Sequence, residues 1–245
     1  MANNSSDSDV PLEEPGENIM RCTQYVRRNF TPTVISALCK HHILSIDIGI
    51  KNLGYSIISF DKLGKKQLTD LAVEFDIFDI SKHLPKKTDI VSSRCEALIQ
   101  FFRPLFQAYG HFRTIIIERQ VNRNTMAMEL MYAITMALKL LNSGDGSDEQ
   151  LRRSSDEFEL VIFDPKDKFL KLGLTYSTAN KAHKKQSAKY ARNLMSKIWK
   201  TELAKFDKFD KKDDISDAVN QALVWMLSNG FLSLTVEQYV QLINE

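Results

Sequence analysis

The stretch His42-Ile43-Leu44-Ser45-Ile46-Asp47-Ile48-Gly49 is a short apolar run that ends on an acidic residue. A second run, Thr114-Ile115-Ile116-Ile117, ends on Glu118 in the same way. Short runs rich in β-branched residues predict buried strands, and an acidic side chain at the end of such a strand is costly unless it is paired or binds a metal ion. A third acidic cluster, Asp213-Asp214-Ile215-Ser216-Asp217, opens a stretch with helical spacing. Together these acids predict a divalent-metal site that cleaves phosphodiesters.

The order of the predicted elements indicates an α/β protein in which a five-stranded mixed sheet is flanked by helices. Strands are predicted at 43–48 and 53–60, within 71–80, and at 113–118 and 160–163. Helices are predicted at 89–109, 125–141, 179–206 and 215–227, and the third of these is either one long helix or a helix pair. The second, capped by Asn124, is apolar on nearly every face, so we expect it to be buried in the core or between subunits.

The composition is that of a soluble globular protein, with 43% hydrophobic and 26% charged residues. No apolar run approaches the roughly 18 residues of a membrane span, and no secretory signal pattern is present, so we expect an intracellular protein that does not contact membranes. The three cysteines, Cys22, Cys39 and Cys95, form no close pair. This pattern fits a reducing compartment and argues against a disulfide framework or a zinc site.

Charge divides the chain into three regions. Residues 1–18 hold five acidic residues and no Lys or Arg, which predicts a disordered acidic tail. Residues 19–41 form a short basic N-terminal segment, and residues 42–245 form the predicted nuclease domain. Within that domain, residues 164–212 hold fourteen Lys or Arg against five Asp or Glu. This basic block predicts a polyanionic partner, although a solvated helix face would give a similar pattern.

The spacing of the acids is suited to metal-assisted hydrolysis. Two divalent ions about 3.5–4 Å apart can activate water and stabilise a leaving oxygen, and Mg²⁺ prefers oxygen ligands. Asp214 and Asp217 are three residues apart and would share a helix face, but Asp213 and Asp217 are four apart and would do so equally well. The spacing alone therefore leaves open which of Asp213 and Asp214 is the ligand. A single Asp such as Asp47 could also be a turn cap.

Four motifs in order give the sequence a recognisable resemblance. They are Ser45-Ile46-Asp47-Ile48-Gly49-Ile50-Lys51-Asn52, then Ile117-Glu118-Arg119-Gln120 with Arg123, then Lys184-Lys185, and finally Lys212-Asp213-Asp214-Ile215-Ser216-Asp217-Ala218. Over about residues 43–227 the chain resembles the Holliday junction resolvases of poxviruses and fungal mitochondria. These are relatives of the bacterial RuvC resolvases and have the ribonuclease-H-like fold, with which the order of predicted elements is compatible.

The resemblance implies a homodimeric endonuclease that resolves four-way DNA junctions by paired nicks. It implies Mg²⁺ as the cofactor, two ions per active site, with Mn²⁺ able to substitute. The metal-binding and catalytic acids would be Asp47, Glu118, Asp214 and Asp217, with Asp213 as the extra acid that often precedes the final pair. Lys184 or Lys185 would steady the scissile phosphate or the transition-state charge.

Contacts to DNA are expected from two groups of residues. The motifs contribute Lys51, Arg119, Gln120 and Arg123, and the basic block contributes Lys166, Lys184, Lys185, Lys189 and Arg192. The chain departs from the family pattern at Val121 and Asn122, where relatives usually carry consecutive basic or aromatic residues. The resemblance leaves the compartment open between a mitochondrion, as in the fungal type, and the cytoplasm of an infected cell, as in the poxviral type.

Two other functions are compatible with the same residues. A catalytically silent junction-binding protein would keep the fold without cutting. A ribonuclease acting on RNA–DNA hybrids would share the fold and the metals but differ in substrate.

Overall fold

The computed structural model describes residues 38–49, 51–80, 90–120, 124–143, 158–176 and 180–245. The predicted acidic tail at 1–18, nearly all of the basic segment at 19–41, and Arg123 lie outside the described residues.

In the described part of the chain, five strands form one mixed sheet in the order β3-β2-β1-β4-β5. β1 (His41–Asp47) pairs antiparallel with β2 (Leu53–Phe60), and β2 pairs antiparallel with β3 (Ala72–Phe78). β4 (Thr114–Glu118) runs parallel to β1, and β5 (Glu159–Phe163) runs parallel to β4. The predicted five-stranded mixed sheet is confirmed. Because β1, β4 and β5 are parallel, their carboxyl ends meet at one edge of the sheet.

Helices cover both faces of this sheet. One face packs on α1 (Ile90–Tyr109) and α2 (Thr125–Ser143), which also pack on each other. The opposite face packs on α6 (Lys212–Ser228), which is joined there by α4 (Asn180–Lys197). The remaining helices are α3 (Asp167–Leu170), α5 (Lys200–Phe206) and α7 (Val236–Asn244).

Strand alternation assigns each side chain to one of the two faces. In β1, Leu44 and Ile46 belong to the core under α1 and α2, whereas Ile43 belongs to the core under α6. In β4, Ile116 also lies in the α6 core. Asp47 and Glu118 continue the Ile43 and Ile116 positions at steps of two, so both acids lie on the face covered by α6.

Local sequence signals account for several helix ends. Asn124 caps α2 as predicted, because its Oδ1 accepts a hydrogen bond from the Ala127 amide at 3.2 Å. Gly110 ends α1 with a φ of 72°, and its amide donates to the Phe106 carbonyl at 2.8 Å. Thr235 and Gln238 form a capping box at the start of α7.

One predicted helix start needs correction, and one of two alternatives is confirmed. The helix α6 begins at Lys212 rather than at residue 215, and the basic stretch 179–206 is the predicted helix pair, α4 and α5, rather than one long helix. The apolar helix α2 is predicted to be buried in the core or between subunits, and in the single chain the described residues cover one side of it and leave the other exposed. Four of its large apolar side chains are exposed: Met126, Tyr132, Met136 and Leu140. No helix in the described ranges is long and apolar enough to cross a membrane.

Candidate active site

The four predicted acids come from three elements that meet at the carboxyl edge of the sheet. Asp47 ends β1 and Glu118 ends β4, and both lie under α6. Asp214 and Asp217 belong to the first turns of α6, which packs directly on β1 and β2. Asp47 lies close enough to Glu118, Asp217 and Asp214 that the negative charge of each raises its pKa. The structure therefore brings the four acids together.

A glycine opposite Asp47 allows α6 to come this close. Gly54 is the register partner of Asp47 on β2. A Cβ atom built on Gly54 would lie 2.4 Å from the Asp214 carbonyl oxygen, a distance that no side chain can occupy. The missing side chain thus lets the first turn of α6 rest on the strand beside Asp47.

Lys168, which was not among the predicted site residues, lies inside the acid cluster. Its Nζ is 2.6 Å from Glu118 Oε2 and 2.9 Å from Asp217 Oδ1, and its side chain is only 5% exposed. Lys168 belongs to α3, which follows β5 after a short turn. Because β5 is parallel to β4, a residue just beyond β5 is delivered to the edge where Glu118 ends. The Asp164-Pro165 turn after a predicted strand marks where the chain leaves β5, but no local signal in the sequence separates Lys168 from the other lysines of the basic block.

Lys184 separates the roles of Asp213 and Asp214. Its Nζ donates to Asp213 Oδ2 at 2.6 Å and lies 3.7 Å from Asp214 Oδ1. Asp214 is the more buried of the two acids, and its charge raises the pKa of Asp47. Asp213 is instead turned toward Lys184. The structure thus places Asp214, rather than Asp213, in the cluster with Asp47 and Asp217.

The pKa values show that negative charge is crowded at this edge. Burial, followed by the charges of Glu118 and Asp217, raises the pKa of Asp47 well above its ordinary value. Burial and the neighbouring Asp213 raise the pKa of Asp214 to about 6. Burial also raises the pKa of Glu118, against the opposing charge of Lys168. The two lysines therefore offset only part of the repulsion among the carboxylates.

Burial acts to lower the pKa of Lys168, but the charges of Glu118 and Asp217 outweigh it and raise that pKa. Lys168 is therefore a protonated ammonium group at neutral pH. It is a fixed positive charge between two of the four acids.

The donor set has the chemistry that Mg²⁺ requires, since buried carboxylate oxygens are ligands for hard cations and their mutual repulsion favours a cation among them. In this structure, however, Lys168 lies between Glu118 and Asp217. Among the described residues, no three acidic, His or Cys side chains are arranged so that they could hold a metal ion. The residue types therefore suit Mg²⁺, but in this arrangement Lys168 is paired with two of the four acids.

The residues predicted to contact DNA fall into three groups. Arg192 makes two hydrogen bonds to Asp207, at 3.2 and 3.1 Å, and Gln120 is half-buried with its Nε2 3.4 Å from the Glu118 carbonyl oxygen. Lys184 is turned toward the acids. The others are exposed and form no ion pair with a described residue: Lys51, Arg119, Lys166, Lys185 and Lys189. Arg123 is not among the described residues.

Comparison with known proteins gives a match in structure only. No protein-family model matches the sequence, and no curated protein matches it. The crystal structure of the yeast mitochondrial Holliday junction resolvase is similar, with a TM-score of 0.55 and 17% identity over 94% of this chain and 98% of that chain.

Two structures of the fowlpox virus resolvase are more distant. One, in complex with substrate Holliday junction DNA, has a TM-score of 0.49 and 18% identity over 77% of this chain and 98% of that chain. The other has a TM-score of 0.40 and 20% identity over 77% of this chain and 99% of that chain. The resemblance predicted from the motifs is confirmed at the level of fold: the chain has the ribonuclease-H-like fold of the yeast mitochondrial Holliday junction resolvase.

Proposed function

We propose that this protein is a Mg²⁺-dependent, structure-selective endonuclease that resolves four-way DNA junctions by paired nicks. The observation that carries the proposal is the convergence of Asp47, Glu118, Asp214 and Asp217 at the carboxyl edge of the sheet. A solved protein with a similar fold, which aligns with 94% of this chain, is the yeast mitochondrial Holliday junction resolvase. That likeness supports branched DNA as the substrate.

In this proposal Asp47, Glu118, Asp214 and Asp217 would hold Mg²⁺ at the carboxyl edge of the sheet. The bound ion would supply the positive charge that activates a water molecule and stabilises the leaving oxygen. Lys184 is the better placed of the two candidate lysines to steady a phosphate, because its Nζ lies 3.7 Å from Asp214 Oδ1, whereas Lys185 forms no ion pair with a described acid. Lys168 orients Glu118 and Asp217 and limits their repulsion.

One observation favours a catalytically silent junction-binding protein as the second candidate. Lys168 occupies the space between Glu118 and Asp217, as a permanent replacement for a metal ion would. Labelled junction incubated with the protein separates the two functions. An endonuclease cuts it with Mg²⁺ and leaves it whole with EDTA. A protein that shifts the junction on a native gel yet never cuts it, at any Mg²⁺ concentration, would be the silent module.

The exposed lysines of α4 are expected to bind the DNA backbone. Lys185 and Lys189 are one helical turn apart, both are exposed, and neither forms an ion pair with another described residue. Each phosphate that a lysine neutralises contributes about 0.9 to the slope of log affinity against log salt. The double variant Lys185→Ala and Lys189→Ala should therefore lower the magnitude of that slope by about 2.

A matched control for this experiment lies at the opposite edge of the sheet. Lys62 and Lys65 follow the end of β2 and are exposed. Replacing both by Ala removes the same amount of positive charge as the α4 variant does. That double variant should leave the salt slope unchanged. Equal slopes for the α4 variant and the wild-type protein, measured by fluorescence anisotropy, would mean that the α4 lysines form only a solvated face.

The exposed face of α2 supports a homodimer. Resolving a junction takes two coordinated cuts and hence two active sites, which a symmetric pair supplies. Tyr132, Met136 and Leu140 recur at steps of four and form an apolar stripe on the outer side of α2. Met128, by contrast, is half-buried against the core. We propose that this stripe packs on the same stripe of a second copy.

The variant Met136→Glu should split the dimer without unfolding the protein, because Met136 is 55% exposed. Paired cuts should then become isolated nicks. Leu63→Glu is the control, since Leu63 is equally exposed at 55% and lies in the turn after β2 at the far edge of the sheet. Light scattering decides the point: a wild-type protein that is monomeric at micromolar concentration, alone and with junction DNA, would rule out the stripe as a dimer interface.

A further inference from the structure

A serine on α4 holds one oxygen of the Asp217 carboxylate. Ser187 Oγ donates to Asp217 Oδ1 at 2.7 Å, and Lys168 Nζ contacts the same oxygen at 2.9 Å. Within the described part of the chain, no donor contacts Asp217 Oδ2. The carboxylate is thus held through Oδ1, which leaves Oδ2 as the oxygen available to a cation.

An asparagine one turn along α6 fixes the direction of this hydrogen bond. Asn220 Nδ2 donates to the Ser187 carbonyl oxygen and to Ser187 Oγ, both at 2.9 Å. A carbonyl oxygen can only accept, so the amide group of Asn220, and not its Oδ1, must face Ser187. Because Ser187 Oγ accepts from Asn220 and carries a single proton, that proton is directed to Asp217.

The arrangement lies in the interior and is shielded from water. Ser187 and Asn220 are buried, and they line a small cavity together with Lys168 and Tyr239. A buried hydrogen bond to a charged group is stronger than one exposed to water, and without Ser187 only Lys168 would hold Asp217 Oδ1. Ser187 therefore has the burial and the geometry to fix the orientation of Asp217.

We propose that Ser187 and Asn220 are positioning residues that orient Asp217 for metal binding, an inference that rests on the proposed nuclease function. Neither residue contacts the metal or the DNA. They act through Asp217, by keeping Oδ1 engaged and Oδ2 presented to the cluster around Asp47. Outer partners that orient a metal ligand typically contribute 10–100-fold to metal affinity or activity.

The variant Ser187→Ala tests this proposal with little disturbance to the fold, since Asn220 keeps its hydrogen bond to the backbone carbonyl of residue 187. We expect it to bind Mn²⁺ about 10-fold more weakly than the wild-type protein, as measured by electron paramagnetic resonance without DNA. The kcat for junction cleavage should fall, while the KM for the junction stays unchanged. Ser187→Thr keeps the hydroxyl group and should restore both values.

Tyr239→Phe is the matched control, because it removes a hydroxyl group from the same cavity without touching the contacts to Asp217. It should leave Mn²⁺ affinity and kcat unchanged. A Ser187→Ala protein that binds Mn²⁺ like the wild-type protein, and differs only in melting temperature, would show that Ser187 merely joins α4 to α6. A wild-type protein that binds no Mn²⁺ would instead overturn the proposed function itself, together with the inference built on it.

Discussion

Replacing Asp47 by Asn, Glu118 by Gln, or Asp217 by Asn should each lower junction cleavage by roughly 10²–10³-fold or more, the cost of removing one charge-stabilising group from an active site. Each change keeps the size of the side chain and removes one negative charge from the cluster. Binding of the junction should be retained, because the exposed lysines that we propose as phosphate contacts are unchanged. Cleavage under single-turnover conditions and binding by anisotropy measure the two effects separately.

The stability of the Asp47 variant separates a metal ligand from a structural cap. Burial and the neighbouring acids raise the pKa of Asp47, so its ionised form lowers the stability of the folded protein. A carboxyl group whose pKa is raised on folding contributes stability at low pH that is lost as the pH rises through the folded value. At neutral pH without metal, Asp47→Asn should therefore melt at the same temperature as the wild-type protein, or higher.

The control for these variants is Asp210→Asn. Asp210 is an exposed acid just before α6, and replacing it makes the same chemical change outside the cluster. It should cut junctions at the wild-type rate. An Asp47→Asn protein that melts lower and still cuts normally would identify Asp47 as a turn cap, and the proposed metal site would be wrong.

Lys168→Met should destabilise the metal-free protein by about 3–5 kcal/mol, the usual cost of removing one partner from a buried ion pair. The loss of the ammonium group leaves Glu118 and Asp217 facing each other, and both also face Asp47. Methionine fills nearly the same space, so the effect comes from charge rather than packing. Urea unfolding in EDTA measures the change.

The pH dependence of this variant gives an independent check. Without Lys168 the pKa of Glu118 should rise further, so the unfolding free energy should fall more steeply with rising pH than in the wild-type protein, from about pH 4.5 upward. Lys171→Met is the control, because Lys171 forms a more exposed pair with Asp167 at 3.3 Å. If both variants lose equally little stability, Lys168 does not act as the counter-charge of the cluster.

Much of the site could be predicted because its acids are marked by local sequence patterns. Asp47 and Glu118 each end a β-branched run, and such runs form buried strands whichever helices cover them. The choice between Asp213 and Asp214 could not be predicted, because spacings of three and four both fit one helix face. In the structure, Asp213 pairs with Lys184 at 2.6 Å, and Asp214 is the acid that lies near Asp47.

Other features depend on packing that no local pattern reports. In the sequence, Lys168 is one of many lysines in the basic block. Its burial beside Glu118 follows only from the pairing of β5 with β4. The sequence of α2 is apolar on nearly every face, yet within the described part of the chain its side toward α1 and the sheet is covered and its outer side is exposed. The role of Gly54 also depends on a tertiary contact, since it is set by the close approach of the Asp214 backbone.

The most direct test of the central claim is a side-by-side cleavage assay with one protein preparation. A four-way DNA junction, a linear DNA duplex and an RNA–DNA hybrid are each labelled at the 5′ end and incubated with Mg²⁺. We expect the junction to be nicked on two opposed strands at symmetric positions, with the duplex and the hybrid left intact. Cleavage of the hybrid with the junction left intact would contradict the account and identify a ribonuclease on the same fold.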